Sequence, residues 1–312
     1  MPVPDTARTG PNDALRRGLT DDLRLAHLLA DDADSITMSR FKSLDLHVTS
    51  KPDLTPVSDA DTAAEQAIRR TLSRARPRDA VHGEEMADTG WGPRRWVIDP
   101  IDGTKNFVRG VPVWGTLIGL MINDEPAVGV VSAPALGRRW WASMGGGAYA
   151  GRSLMSATAI HVSDVTSIED ASMSYASISA WVEARQGQQF VDLLRRCWRT
   201  RAYGDFWSYM LVAEGAVDLA AEPELALHDM AAIDVIVREA GGVFTSLEGE
   251  PGPNGGSALA SNGKLHDQAL AFLGSVDEAA KHAQRGGGSV HDLAERRRLT
   301  EEIPAGPLNS EE

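Results

Sequence analysis

A layered fold that mixes α-helices with antiparallel strands is predicted for this 312-residue chain, and three observations predict it. Two stretches near the front carry apolar residues at helical spacing. Five short β-type runs follow with only turns between them, and helical and β-type segments then alternate to about residue 273. That order is the mark of an α/β protein of the layered α+β kind rather than of repeated βαβ units.

The elements follow in order. "TDDLRLAHLLADDADSITMSRF" places Leu23, Ala26, Leu29, Ala30 and Ala33 at helical spacing behind Thr20 and two aspartates suited to a helix start. "SDADTAAEQAIRRTLSRA" predicts a second helix, with Ala64, Ile68 and Leu72 on one stripe and acids in its first turn. "AVHGEE", "RRWVIDP", "WGTLIGLMI", "AVGVVSAPA" and "RRWWASM" read as strands, divided by "NDEP" and "LGRR" turns and closed by "GGGAYAGRSL", so an antiparallel meander is expected. Beyond Val162 come "FVDLLRRCW", "YMLVAEGA", "HDMAAIDVIVREAGG" and "VFTS". The third of these carries Met230, Ile233, Val237 and Ala240 as an apolar stripe and stops at Gly241-Gly242. One domain over 19–274 is expected, in two halves divided near residue 155, between flexible segments at 1–18 and 275–312.

Composition narrows the function. Acidic residues outnumber basic ones by 44 to 31, a formal net charge of −13, which argues against nucleic acid and anionic membranes as partners. No apolar run approaches the ~20 residues of a membrane span, and residues 1–18 lack the apolar core of a secretion signal, so a cytoplasmic protein is expected. A single cysteine, Cys197, allows neither an intrachain disulfide nor a thiolate metal cluster; Leu193, Leu194 and Trp198 around it read as a packed helical face.

The stretch "WVIDPIDGTKNF" drives an apolar run into Asp99 and Asp102. Paired acids near an interior are costly unless neutralised, and a cation is the obvious neutraliser. The Pro100 turn would bring both carboxylates to one side and expose the Ile101 carbonyl. Gly103 and Thr104 follow where backbone N–H groups can hold phosphate oxygens. Three further segments add acids: Glu84 and Glu85 in "HGEE", Asp61 in the first turn of one helix, and Asp229 in the first turn of another. Each of the three also reads as a helix cap or a solvated strand end. Mg²⁺ takes oxygen ligands in near-octahedral geometry and leaves positions for water and substrate phosphate, which suits such a set.

The segments "GEE", "WVIDPIDGTKNF" and "HDMAAIDVIVREAGG", in this order and spacing, resemble the inositol monophosphatase family of Mg²⁺-dependent, Li⁺-sensitive phosphomonoesterases, over about Leu23 to Leu273. The resemblance implies an αβαβα sandwich, usually a homodimer. It implies that Glu84, Asp99 and the Ile101 carbonyl hold a first metal, that Asp99, Asp102 and Asp229 hold a second, and that Glu84 with waters holds a weaker third. Asp61 matches a carboxylate that hydrogen-bonds the motif threonine, Thr104, and Lys51 matches a mobile-loop lysine. Glu84 and Thr104 would orient a water for in-line attack on phosphorus, Gly103 and Thr104 would position the phosphate, and no covalent intermediate would form.

Within the family, "PDLTPVSDAD" and "RAYGDFWSYMLVAEGAVDLAAEPE" resemble the actinobacterial-type histidinol-phosphate phosphatases. Where inositol monophosphatases carry small residues after the glycine, this chain has Asp205, Phe206 and Trp207. A carboxylate and aromatic rings suit a cationic or imidazole-bearing phosphorylated metabolite. Glu222 matches the family residue that reads the organic part of the substrate. Phe206 and Trp207 also read as core residues on a helix that Asp205 caps. The family's tryptophan before the last aspartate is replaced by His228, read as filling the same packing position. Inositol-1-phosphate, fructose-1,6-bisphosphate, a 3′-phosphoadenosine nucleotide, or a noncatalytic ligand-binding role are the competing expectations.

Overall fold

The computed structural model describes residues 11–52 and 55–274. Helix α1 (Pro11–Arg40) starts nine residues ahead of the expected Thr20. Proline is pre-organised for a first helical position, so residues 11–18 extend the helix rather than forming a flexible lead-in. The expected flexible segments at 1–10 and 275–312 lie outside the described residues.

A hairpin of β1 (Val48–Ser50) and β2 (Pro56–Ser58) leads into α2 (Asp59–Ala75). Then come β3 (Ala80–Gly83), β4 (Arg94–Asp102), the short α3 (Thr104–Arg109), β5 (Gly115–Ile122), β6 (Glu125–Ala133), β7 (Arg138–Ser143), β8 (Gly147–Gly151) and β9 (Thr158–Ala159). Strands β3 to β9 form one seven-stranded sheet in sequence order. Its strands pair antiparallel, as the meander predicts, except that β3 runs parallel to β4 with Gly83 opposite Ile98. The segment 84–93 between them crosses back instead of turning as a hairpin, so both strands end at the same edge.

The rest of the chain gives β10 (Ser172–Ser174), α4 (Ile178–Glu183), α5 (Gly187–Arg196), β11 (Arg199–Arg201), α6 (Asp205–Ala213), β12 (Leu219–Glu222), α7 (Leu227–Glu239), β13 (Val243–Thr245), β14 (Ala258–Ser261) and α8 (His266–Leu273). The second sheet has the order β11-β10-β12-β14-β13, parallel where β10 meets its neighbours and antiparallel elsewhere.

Three apolar cores separate five layers. Leu25, Leu29 and Ile68 of α1 and α2 meet Trp96, Ile118 and Val128 of the large sheet. Leu117, Val131 and Trp140 on the opposite face meet Phe206, Met210, Ile233 and Val237 of α6 and α7, which also cover Ala220 and Ala260 of the small sheet. Phe190, Leu193 and Leu273 of α5 and α8 close the far side against Met173, Leu219 and Leu259. The expected αβαβα layering is therefore present. One packing expectation holds except at Trp198: Leu193, Leu194 and Cys197 pack on the far core, but Cys197 caps α5 with an extended backbone and the chain turns Trp198 outward to 70% exposure.

Helix α7 lies unusually close to the large sheet. A Cβ on Gly129 would stand 2.4 Å from the Ala232 carbonyl, and one on Gly119 would stand 3.0 Å from the Ala231 side chain. Glycine inside a strand marks such close backbone approach. The α7 helix ends as its sequence requires, with Gly241 at φ 90° and the Gly242 N–H returning to the Val237 carbonyl.

Candidate active site

The parallel pairing of β3 with β4 builds the centre of the site. The Glu84 N–H donates to the Ile98 carbonyl at 3.1 Å, which seats Glu84 beside Asp99. The β4–β5 pairing is interrupted between Asp99 and Asp102, where Pro100, lacking an N–H, sits in the irregularity and its carbonyl accepts the Thr116 hydroxyl at 2.8 Å. Asp99 Oδ1 accepts the Ile101 N–H at 3.0 Å, so the turn is closed on itself. Gly103 follows at φ 80°, where an added Cβ would also stand 3.0 Å from the Val113 carbonyl.

Asp229 reaches the same place from the first turn of α7, where its Oδ2 accepts the Ala226 N–H at 2.7 Å. One carboxylate oxygen each of Asp99, Asp102 and Asp229 lie within 4.8 Å of one another. Burial, with Glu84, Asp102 and Asp229 around it, pushes the Asp99 carboxyl well above the ordinary carboxylate range. Burial does the same to Asp102, aided by Asp205 and Asp229 and opposed by the Phe206 N–H that it accepts at 2.6 Å. Asp229 is raised by burial against the counterweight of His228. Buried carboxyls crowded in this way resist ionising, and a hard cation with oxygen ligands answers that cost. The donor set of carboxylates and the Ile101 carbonyl therefore fits a divalent metal. That carbonyl keeps a second lone pair while accepting from the Thr104 hydroxyl at 2.9 Å.

Around this centre, Asp61 Oδ2 accepts the Ser58 N–H at 2.9 Å in the cap of α2, and its Oδ1 lies 3.3 Å from the Thr104 hydroxyl. Lys51 reaches Glu84 at 2.6 Å and Glu85 at 2.8 Å. Burial acts to discharge the lysine, but the hydrogen bonds it donates to these two glutamates outweigh it and raise its pKa.

Beside the acids opens a cavity of about 80 Å³, lined by Asp102, Asp205, Phe206, Tyr209, Glu222 and Asp229 with Leu225 and Ile233. Burial, then Asp205 and Asp229, lift Glu222 to about 8. Burial lifts Asp205 to about 6 despite Lys105. Asp205 sits at φ 47°, a region non-glycine residues avoid, and is held by the Asn106 amide at 2.8 Å.

The inositol monophosphatase family model matches residues 20–278. The chain is 66% identical over 257 residues to the histidinol-phosphatase of Streptomyces coelicolor, covering 81% of this chain and 97% of that protein. The chain belongs to the inositol monophosphatase family. A second relative, the histidinol-phosphatase of Mycobacterium tuberculosis, is 56% identical over 254 residues, 81% of this chain and 98% of that protein. Among solved structures, the Thermotoga maritima IMPase matches with a TM-score of 0.74 at 29% identity, over 84% of this chain and 99% of that one.

Against that family pattern, Glu84, Asp99, Asp102, Thr104, Asp61 and Asp229 all lie around one centre, and Asp205 and Glu222 wall the adjoining cavity. The aromatics divide. Phe206 is 1% exposed and packs on Trp140, yet it is also one of the residues lining the cavity. Trp207 packs against Tyr203 with its Nε1 buried, away from the residues lining the cavity. His228 stacks on His82 at 6.0 Å, consistent with a packing position. Sequence reasoning missed Tyr209, read only as part of a helix, and Asn106, which fixes Asp205 from 99 residues away. It also missed Glu65. This buried acid on α2 takes the Glu85 N–H at 2.7 Å and Arg69 at 2.7 Å, bracing the turn that carries Glu84. An acid at that buried face of α2, four residues before an arginine, was the available signal.

Proposed function

We propose that this chain hydrolyses L-histidinol phosphate to L-histidinol and phosphate, with Mg²⁺ as the metal and two or three ions per site. The observation that carries the substrate reading is the cavity beside Asp102 and Asp229. Acids wall it and no basic side chain lines it among the described residues, so it repels a second phosphate and receives N–H donors. The naming of the two relatives as histidinol-phosphatases supports the same substrate.

Glu84, Asp99, Asp102, Asp229 and the Ile101 carbonyl would hold the ions. When bound, they would supply Lewis-acid stabilisation of the phosphoryl charge and an acidified water. Thr104, steadied by Asp61, and Glu84 orient the attacking water in line with phosphorus. The N–H groups of Gly103 and Thr104, at the start of α3, hold a phosphate oxygen. Asp205 meets the substrate ammonium and Glu222 its imidazole, with Phe206 as an apolar wall; Trp207, packed on Tyr203, takes no part in it. The enzyme acts in the cytoplasm as a homodimer, for which light scattering at roughly twice the 33.5 kDa chain mass is expected.

A phosphate-release panel at fixed Mg²⁺ tests the substrate. L-histidinol phosphate should exceed inositol-1-phosphate, fructose-1,6-bisphosphate and a 3′-phosphoadenosine nucleotide in kcat/KM by roughly 100-fold or more, as hydrogen-bonding pockets discriminate. A preference for inositol-1-phosphate would overturn the substrate and leave the hydrolytic chemistry standing.

A further inference from the structure

Helix α2 carries a buried ion pair whose outward hydrogen bonds go to one short segment of chain. Glu65 is fully buried, and its Oε1 pairs with Arg69 Nε at 2.7 Å, one turn along the helix. Both side chains then reach the segment that follows β3. Glu65 Oε2 accepts the Glu85 N–H at 2.7 Å. Arg69 donates through Nη2 to the Met86 carbonyl at 3.0 Å and through Nη1 to the Thr89 hydroxyl at 3.2 Å. The chain passes so close that a Cβ on Gly83 would stand 2.1 Å from Glu65 Oε1. Glycine at position 83 is what leaves room for the glutamate.

That segment carries Glu84. The Glu84 N–H is fixed to β4 through the Ile98 carbonyl, and the next N–H along the chain is fixed to α2 through Glu65. The main chain is thus tied down on both sides of the Glu84 side chain. Asp61 lies four residues before Glu65, on the same face of α2, and its Oδ1 stands 3.3 Å from the Thr104 hydroxyl. Consecutive turns of one helix therefore steady the two groups that orient the attacking water. A buried ion pair stabilises a fold little compared with apolar side chains of the same volume, so stability alone does not account for this one.

We propose that Glu65 and Arg69 are positioning residues of the hydrolytic site: the pair fixes the main chain at 84–86 and so holds the Glu84 carboxylate ready for a metal ion and its water. This rests on the reading of Glu84 as a metal ligand given above, and is independent of which phosphomonoester is hydrolysed. Neither residue is among those lining the cavity beside Asp102. Loss of the pair is therefore read in Mg²⁺ affinity and kcat, with KM at saturating Mg²⁺ unchanged.

Removing one partner alone strands a buried charge and destabilises the fold whatever the pair does, so both are replaced together. A first double variant, Glu65→Leu with Arg69→Met, removes the pair and the acceptor for the Glu85 N–H. A second, Glu65→Gln with Arg69→Met, removes the same charges and keeps an oxygen for that N–H. Tm in EDTA, the Mg²⁺ dissociation constant by titration calorimetry without substrate, and kcat and KM for the best substrate of the panel are measured for both and for Glu84→Gln. The first double variant should bind Mg²⁺ about tenfold or more weakly and turn over about tenfold or more slowly, as when outer partners of a metal site are lost. The second should recover most of both losses at a similar Tm in EDTA. Wild-type Mg²⁺ affinity and kcat in the first, or equal losses in the two, overturn the assignment of Glu65 and Arg69. A first double variant that has no fold in EDTA shows the pair to be structural and overturns it as well. Glu84→Gln should lose both Mg²⁺ affinity and turnover. If it keeps both, Glu84 is no ligand and the two readings fall together; if it alone is impaired, only the positioning role falls.

Discussion

At the scale of single residues, the site is governed by the cost of crowding acids. Asp99 is 2% exposed and hemmed by Glu84, Asp102 and Asp229, so its charge is tolerable only opposite a cation. Asp99→Asn removes that charge and one metal ligand with almost no change of shape. Turnover should fall by well over the ~100-fold that loss of an outer partner of a metal site costs. Thermal melts in EDTA should show the variant folded and no less stable than wild type, since a buried charge has been removed. Wild-type phosphate release by Asp99→Asn would remove Asp99 from the site. The legibility of these residues in the sequence follows from how local they are. Asp99, Asp102 and Thr104 fall within six consecutive positions, and Asp229 is marked by its helix start. Tyr209 carried no comparable mark, because its meaning depends on Glu222, which a different strand brings to it.

At the scale of elements, Asp229 is only as well placed as α7 is close to its sheet. Gly129 permits that closeness: a methyl group there would meet the Ala232 backbone carbonyl, which a helix cannot move alone. Gly129→Ala should therefore cost about 1–3 kcal/mol in urea unfolding, the usual range for overpacking. It should also lower kcat by shifting the first turn of α7. A variant as stable and active as wild type would show the helix freer to move than its packing implies. The strand–helix order was readable because β4 to β7 are short apolar runs, buried on both faces and bounded by turns, whereas the helices carry an apolar stripe at a period of 3.6. The second sheet was mostly unreadable because β10 is only Ser172–Ser174 and β12 only Leu219–Glu222, too short for any period to declare itself. The parallel pairing of β3 was hidden for another reason, since direction is decided by the path of residues 84–93 and not by the strand itself.

At the scale of the whole molecule, the acid cluster ties stability to pH and to metal. Folding lifts Glu222 to about 8 and Glu85 to about 7, in each case chiefly by burial, and raises Asp99 and Asp102 in the same direction. Carboxyls raised above their unfolded values near 4 bind more protons in the folded state, so stability falls as pH rises towards the folded values. His27, lowered to about 4 by burial and Arg139, acts in the opposite sense but only below about pH 6.5. Calorimetry in EDTA should therefore give a lower Tm at pH 8.5 than at pH 6.5. Mg²⁺, which takes the place of those protons, should raise Tm more at pH 8.5 than at pH 6.5. A Tm in EDTA that climbs across this interval would contradict the picture.

The hydrogen bond from the Phe206 N–H to Asp102 has a consequence for how such enzymes change substrates. It fastens the start of the recognition helix to the Asp102 carboxylate of the hydrolytic motif, the helix contributing only its main chain. The side chain at 207 is therefore open to exchange, and so to a lesser degree is the one at 206, while the same amide keeps its grip on the same acid; position 205, at φ 47° and held by Asn106, admits few residues. Proline is the residue barred from position 206. Novelty in the diet of this scaffold can thus accumulate one substitution at a time, each step retaining a working hydrolase.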